Sequence, residues 1–265
     1  MRRDLESRMR IFERAQDYAV LPGIYMVARI DGRSFTRLTR ELHDFDAPYD
    51  VRFRDCMVAT TRRLVDCGFG VVYGYTQSDE ISLLFRRDET SFGRVLRKYN
   101  SILAGEASAA FTSALGAPGA FDCRISQLPT ANDVVDYFRW RQEGAYRNAL
   151  SGHCYWLLRR QGKSERQATR VLEGASVAAR NELLFTSGIN FNDVPAWQKR
   201  GIGVYWETYE KAGHNPKTGA KATTTRRRIG VDMTLPMKKD YADFVRDFTA
   251  QGAATRASSG PTAFG

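Results

Sequence analysis

The chain is poor in the residues from which thiolate frameworks are built. Its 265 residues include four cysteines, Cys56, Cys67, Cys123 and Cys154, and three histidines. No close CxxC pair occurs and the histidines are scattered, so no zinc signature is present. Four separate thiols in a chain of this length fit small buried residues in a reducing compartment. Long apolar runs are missing too. No stretch approaches the roughly 20 residues that cross a bilayer, and the first residues, Met1-Arg-Arg-Asp-Leu-Glu-Ser-Arg8, carry no apolar signal core. A soluble, cytoplasmic protein with no membrane partner is expected. There is no internal repeat. Acidic charge is the last shortage: 30 Asp and Glu face 40 Lys and Arg, a formal net charge of +10. That excess points to an acidic partner, of which nucleic acid is the simplest. The hydrophobic share of 43% suits a folded chain, long enough for one large core or two small domains.

Two short stretches organise the rest. Tyr25 to Ile30 is an apolar, β-prone run that ends at Asp31-Gly32. Val71 to Tyr75 and Ile81 to Phe85 read as a hairpin, with Thr76 to Glu80 at its connection. If the first strand lies beside that hairpin, Asp31 and Asp79 meet at one sheet end. Two carboxylates held that close repel unless a cation or a proton intervenes. A hard divalent cation with nucleotide phosphates resolves the conflict. The plainer alternative is that Asp-Gly is a turn and Ser-Asp-Glu a polar hairpin tip.

Taken in order, residues 4–17 read as an amphipathic helix with Leu5, Met9 and Phe12 on its apolar face. Arg33 to Pro48 reads as a polar connection, with Arg37, Arg40 and His43 either solvent-facing or on phosphate. Asp50 caps a helix over about 51–66. Phe92, Val95, Leu96, Tyr99 and Leu103 mark a helix over about 91–112, with an alanine-rich later face, and Phe121 to Ile125 reads as a strand. This order is the split βαβ, ferredoxin-like βαββαβ arrangement, an α+β antiparallel sheet with packed helices. A helix from Thr130 runs over 131–145 and resumes toward Arg160, with Gly144 and Gly152 as candidate interruptions; Ser164 and Gln167 box a helix over about 165–181. Gly201 to Trp206 and Thr223 to Val231 read as a C-terminal hairpin. From Lys211 to Arg228 there are six basic residues and no acidic one: Lys211, Lys217, Lys221, Arg226, Arg227 and Arg228. Such an arm either tracks a phosphate backbone or is a charged edge that resists aggregation. The expected division is a core over 1–130, a helical and hairpin segment over 131–240, and a flexible tail over 241–265.

Read together, Arg29 to Phe35, Gly74 to Glu80, Phe121 to Arg124, Trp140-Arg-Gln142, Asn181 to Phe185, Ile189 to Asn192 and Lys199-Arg-Gly201 resemble the tRNA-His guanylyltransferase family and its bacterial and archaeal relatives. The resemblance covers about residues 5–210 and is closer to the bacterial and archaeal branch. It implies a polymerase-palm-like core that adds nucleotides to the 5′ end of tRNA in the 3′-to-5′ direction. It further implies activation of the 5′ end, usually by ATP, then attack by the 3′-hydroxyl of GTP or another nucleoside triphosphate. Two Mg²⁺ ions are implied at Asp31, the Gly32 carbonyl and Asp79, with Glu80 a further ligand or a tuning group; Asp31, Asp79 and Glu80 are the implied catalytic residues. Arg33, Ser34, Phe35, Thr36, Ser78, Arg94, Lys98 and Asn148 fall at nucleotide-binding positions. Lys199 and Arg200, with the six basic arm residues, are expected on tRNA. Relatives assemble as homo-tetramers, and the same is expected of this chain.

Two departures bear on function. A family Lys-Pro triphosphate contact is replaced by Ala47-Pro48, for which Arg40 or Arg37 is the candidate substitute. The eukaryotic HINNLYN segment, tied to selecting tRNA-His, reads Tyr146-Arg-Asn-Ala-Leu-Ser-Gly152, keeping Asn148 and Leu150 alone. The leading expectation is therefore Mg²⁺-dependent, template-dependent repair of tRNA 5′ ends. The alternatives are addition of the extra guanosine to tRNA-His and a non-catalytic tRNA-binding protein on a palm fold.

Overall fold

The structure is a computed structural model that describes residues 2–214 and 221–250. Helix α1 (Arg2–Arg14) forms with the expected periodicity. Its apolar residues Leu5, Met9, Ile11 and Phe12 are nevertheless exposed, because no described element packs on them. Strand β1 (Tyr25–Gly32) is covered on both faces, which is why its sequence is a continuous apolar run. Where an irregular polar connection was expected, the chain forms a short helix α2 (Phe35–Arg37) that continues as a π-helical turn over Leu38–Leu42. The cause is Phe35, whose ring centroid lies 4.8 Å from that of Phe111 and 4.9 Å from that of Phe121.

Helix α3 (Val51–Val65) starts at Asp50, whose carboxylate accepts the Arg52 N–H at 2.6 Å and the Asp46 N–H at 2.8 Å. The hairpin follows as β2 (Val71–Gln77) and β3 (Glu80–Phe85). Next come a 3-10 turn, Ser91–Arg94, and helix α4 (Leu96–Leu115). The helix thus begins later than its apolar spacing suggested. Phe92, Gly93 and Arg94 take left-handed φ values of 51°, 60° and 61°, so Phe92 is exposed and only Tyr99, Leu103, Ala107 and Phe111 enter the core. Strand β4 (Phe121–Leu128) completes the ferredoxin-like set.

On the other side of the sheet lies α5 (Ala131–Arg160), one continuous helix through both glycines, opened by the Thr130–Asp133 capping box. The expected helix over 165–181 is two: α6 (Glu165–Leu172), boxed by Ser164 and Gln167, and α7 (Val177–Thr186), capped by Ser176. Gly174 at φ +69° turns the chain between them. Then come α8 (Ala196–Arg200), β5 (Ile202–His214), β6 (Lys221–Asp232) and α9 (Lys238–Ala250). The expectation of a tail from 241 is corrected by α9. Its Tyr241, Val245 and Phe248 are buried against Tyr73, Tyr75 and Phe138. Residues 251–265 lie outside the described residues.

The antiparallel sheet has six strands in the order β4-β1-β3-β2-β5-β6. Side chains of Met26, Ala28, Ile30, Ile81 and Leu83 meet α3 and α4 on one face. Tyr25, Val27, Tyr73 and Leu84 meet α5 and α9 on the other. Strand β5 joins β2 through Thr76↔Ile202, Tyr75↔Gly203 and Gly74↔Val204, then runs away from the Asp79 end with β6 alone. About 30 Å of two-stranded arm projects beyond that junction. Among the described residues, no helix is long and apolar enough to cross a membrane.

The Asp50 cap generates a pH prediction. Hydrogen bonds from Arg52 hold its carboxyl well below the usual range, at about 2. The group therefore stabilises the fold above its unfolded pKa near 3.9, and that stabilisation is lost as pH falls toward 2. Asp50→Asn, which keeps a capping oxygen but loses the charge paired with Arg52, should cost about 1 kcal/mol at pH 7 and close to nothing at pH 2, read from urea melts at both values.

Candidate active site

Backbone pairing builds the site. In the β1–β3 register Asp31 lies opposite Glu80, and the Gly32 N–H donates to the Asp79 carbonyl at 3.0 Å. The end of β1 is thereby bonded to the turn of the hairpin, and Asp31 and Asp79 share one sheet end. Burial pushes the Asp79 carboxyl up, and the charge of Asp31 adds to the rise; the Ser78 hydroxyl, 3.0 Å away, opposes it. An anion already disfavoured by its surroundings is one that a cation would relieve. Among the described residues no group of three or more His, Cys, Asp or Glu side chains is arranged to hold a metal ion. Two carboxylates and hard oxygen donors alone are the set that Mg²⁺ uses when substrate phosphates complete its shell, so the residues fit that ion.

Glu80 does not join this set. Its two oxygens are taken by Arg29 and Arg141, and its side chain is only 20% exposed. In this arrangement it is a cross-link between β1, β3 and α5. Arg29 and Arg124 also approach Asp31, each at 3.3 Å.

The loop after β1 is shaped by close packing. A Cβ on Gly32 would lie 2.6 Å from the Phe35 ring, so glycine is required there. Ser34 and Ser78 both adopt left-handed φ, 60° and 54°, strain of the kind found at functional sites. The N–H of Arg33 is spent on the Ala120 carbonyl at 2.8 Å and that of Gly32 on Asp79, so those two amides do not cradle phosphate. Ser34 and Thr36 are exposed at the start of α2, whereas Phe35 is core. Beside them opens a cleft of about 380 Å³ lined by Thr36, Arg40, Tyr49, Ser78, Asp79 and Trp156, among others. Arg40 lies over the Trp156 ring at 5.6 Å. Arg37 instead pairs with Glu41 on the surface.

Arg94 and Lys98 are not brought to this end. They precede or begin α4, which starts where β3 finishes, at the opposite end of the sheet. Arg94 is buried, its guanidinium donating to the carbonyls of Val20, Ile24, Arg87 and Glu89. It ties loops together, with four of its five N–H donors engaged by main-chain carbonyls; Lys98 sits over the Phe92 ring at 5.8 Å. Lys199 is likewise buried, donating to the Phe191 and Asn192 carbonyls at 3.0 and 2.7 Å, and Arg200 donates to the Leu235 carbonyl at 3.1 Å. Burial of Lys199 corrects its assignment to tRNA, whereas Arg200 is half-buried. Asn148 is exposed on α5. On the arm, Lys211 and Arg226 are exposed. Arg227 lies over Trp206 at 4.9 Å, and Arg228 is paired with Glu207 at 2.6 Å. Lys221 begins β6, and Lys217 lies outside the described residues.

Known proteins share this arrangement. The family model described as tRNAHis guanylyltransferase matches residues 6–129, and the Thg1 C terminal domain matches residues 132–245. The chain belongs to the tRNA-His guanylyltransferase family. It is accordingly a nucleotidyltransferase, and the non-catalytic alternative falls away. A Drosophila melanogaster protein described as a probable tRNA(His) guanylyltransferase is 32% identical over 196 residues, 70% of this chain and 68% of that protein. A Mus musculus protein of the same description is 30% identical over 215 residues, 76% of this chain and 72% of its own. A solved bacterial tRNA(His) guanylyltransferase (Thg1)-like protein in complex with ATP has a TM-score of 0.75 and 28% identity, covering 92% of this chain and 98% of that one. One in complex with GTP has a TM-score of 0.71 and 27% identity, covering 93% and 99%. These sequence relatives are eukaryotic and these structures bacterial, so the comparisons set the family without singling out the bacterial and archaeal branch.

Opposite stability effects are expected at the two adjacent carboxylates. Glu80→Gln removes the charge that compensates Arg29 and Arg141 and should cost about 1–3 kcal/mol. Asp79→Asn removes an anion that its surroundings disfavour and should leave the denaturation midpoint unchanged or higher. Chemical denaturation of both variants checks this; a destabilised Asp79→Asn beside an unaffected Glu80→Gln would reverse the two roles.

Proposed function

We propose that this nucleotidyltransferase adds guanosine to the 5′ end of tRNA-His, using ATP to activate the end and GTP as donor. The observation that carries the reading is the placing of Asp31 and Asp79 at one sheet end, with Asp79 lining an aromatic-walled cleft. The names of the fly and mouse relatives, and the ATP and GTP held by the bacterial Thg1-like structures, support it. In this reading Asp31, Asp79 and the Gly32 carbonyl hold two Mg²⁺ ions, which supply charge neutralisation at the phosphates and activation of the attacking hydroxyl. Ser78 orients the Asp79 carboxylate. Glu80, fixed between two arginines, keeps β1, β3 and α5 in register around the site. The cleft takes the nucleotide, with Trp156 and Tyr49 as walls for the base and Arg40 supplying the charge that Ala47 lacks. Lys211 and Arg226 take phosphates of the RNA backbone. Assembly into a homo-tetramer in the cytoplasm accompanies this reading.

A second reading, template-dependent repair of truncated tRNA 5′ ends, is favoured by the 146–152 segment. It keeps only Asn148 and Leu150 of the residues that the resemblance ties to tRNA-His selection, and Leu150 is buried in α5.

One set of assays separates the readings. Full-length tRNA-His should gain a single guanosine, and swapping its anticodon should lower the rate. Indifference to the anticodon, with addition that follows the opposing base on 5′-truncated tRNAs, would select the repair reading. Asp79→Ala should abolish addition in either case while tRNA binding stays within a few-fold. Arg226→Ala should flatten the salt dependence of that binding by about one counterion, whereas Arg228→Ala, already neutralised by Glu207, should change it less.

A further inference from the structure

We propose that Trp140 is the stacking platform for the terminal base pair of an RNA duplex whose 5′ end lies at Asp31 and Asp79; the inference rests on the reading of this site as one that works on an RNA 5′ end. Of the four tryptophans Trp140 alone is exposed, at 52%, while Trp156, Trp197 and Trp206 are half-buried. A ring left open to water on an otherwise well-packed helix forfeits the burial that stabilises its counterparts.

Its position is fixed by the carboxylate site itself. The Arg141 guanidinium lies 4.8 Å from the indole centroid, and the same group is bonded to Glu80, the neighbour of Asp79 and the register partner of Asp31. Tyr137, one turn earlier, meets the indole edge-on at 5.9 Å and reaches the Ser82 hydroxyl at 3.2 Å. The indole is thus clamped to β3 through both flanking residues, and little mobility remains to be lost on binding.

The surroundings specify the occupant. Arg124, with a side chain 59% exposed, stands on β4 beside Asp31, and exposed Arg33 follows it in the loop. An exposed aromatic ring at the sheet end that carries these exposed arginines suits stacked bases carrying phosphates. A reaction at a duplex 5′ end leaves one face of the last base pair uncovered at the reacting phosphate. Trp140, joined through Arg141 and Glu80 to the carboxylates, is the aromatic plane placed to cover it.

The test uses full-length protein as wild type, Trp140→Ala and Trp140→Phe, with an acceptor-stem RNA hairpin. The hairpin carries 2-aminopurine in its terminal pair, in an internal pair, or in a 3′ overhang. Trp140→Ala should weaken hairpin binding about tenfold, and Trp140→Phe should stay within about twofold of wild type. ATP affinity should be unchanged in both variants, which excludes a collapsed site. Wild type should quench the terminal 2-aminopurine but not the internal one, and Trp140→Ala should lose that quenching. Equal hairpin affinity in Trp140→Ala, equal terminal quenching, or quenching confined to the overhang would each overturn the platform. Wild type that binds and quenches yet adds no nucleotide would overturn the proposed reaction and leave the platform standing.

Discussion

The site depends on the antiparallel pairing of β1 with β3. Main-chain hydrogen bonds along this ladder are indifferent to side-chain charge, and they bring Asp31, Asp79 and Glu80 to one sheet end. The apolar faces of both strands pin the register, because a slip by one residue would turn Ile30 and Ile81 out of the core. Local repulsion between carboxylates is thus held against a much larger apolar contribution. Remove the register and no site remains.

Arginine then distributes the charge. Glu80 is fully compensated by Arg29 and Arg141, Asp31 is shared at longer range, and Asp79 is left with a hydroxyl. Three neighbouring acids therefore differ in kind: one structural, one intermediate, one poised. Their sequence spacing gives no sign of this division. The residues that impose it stand 51 positions from Glu80 in one case and on another helix in the other.

Much of the fold was legible because its signals are local. Continuous apolar runs marked β1, β2 and β3, and side-chain caps at Asp50, Thr130 and Ser164 marked three helix starts. The errors have local causes as well. Helical spacing from Phe92 onward was genuine from Leu96, but the left-handed turn at Phe92–Arg94 detached Arg94 from the helix and sent its guanidinium to buried carbonyls. Tyr241, Val245 and Phe248 carry a plain helical period, masked by the small residues that follow them. At the site, Asp31 and Asp79 were readable from strand ends, while Arg29, Arg141 and the Arg40–Trp156 pair arise from tertiary packing alone.

The sheet end also works as a partition. The cleft opens on the side of α2 and α3, lined by Phe53, Met57 and Thr76. Arg29, Arg124 and Trp140 gather on the face that carries α5. Asp79 stands at the rim between the two compartments. On the proposed reading, a nucleotide in the cleft and an RNA on the α5 face would reach Asp79 from opposite sides of the sheet, and exchange of one would not have to begin with release of the other.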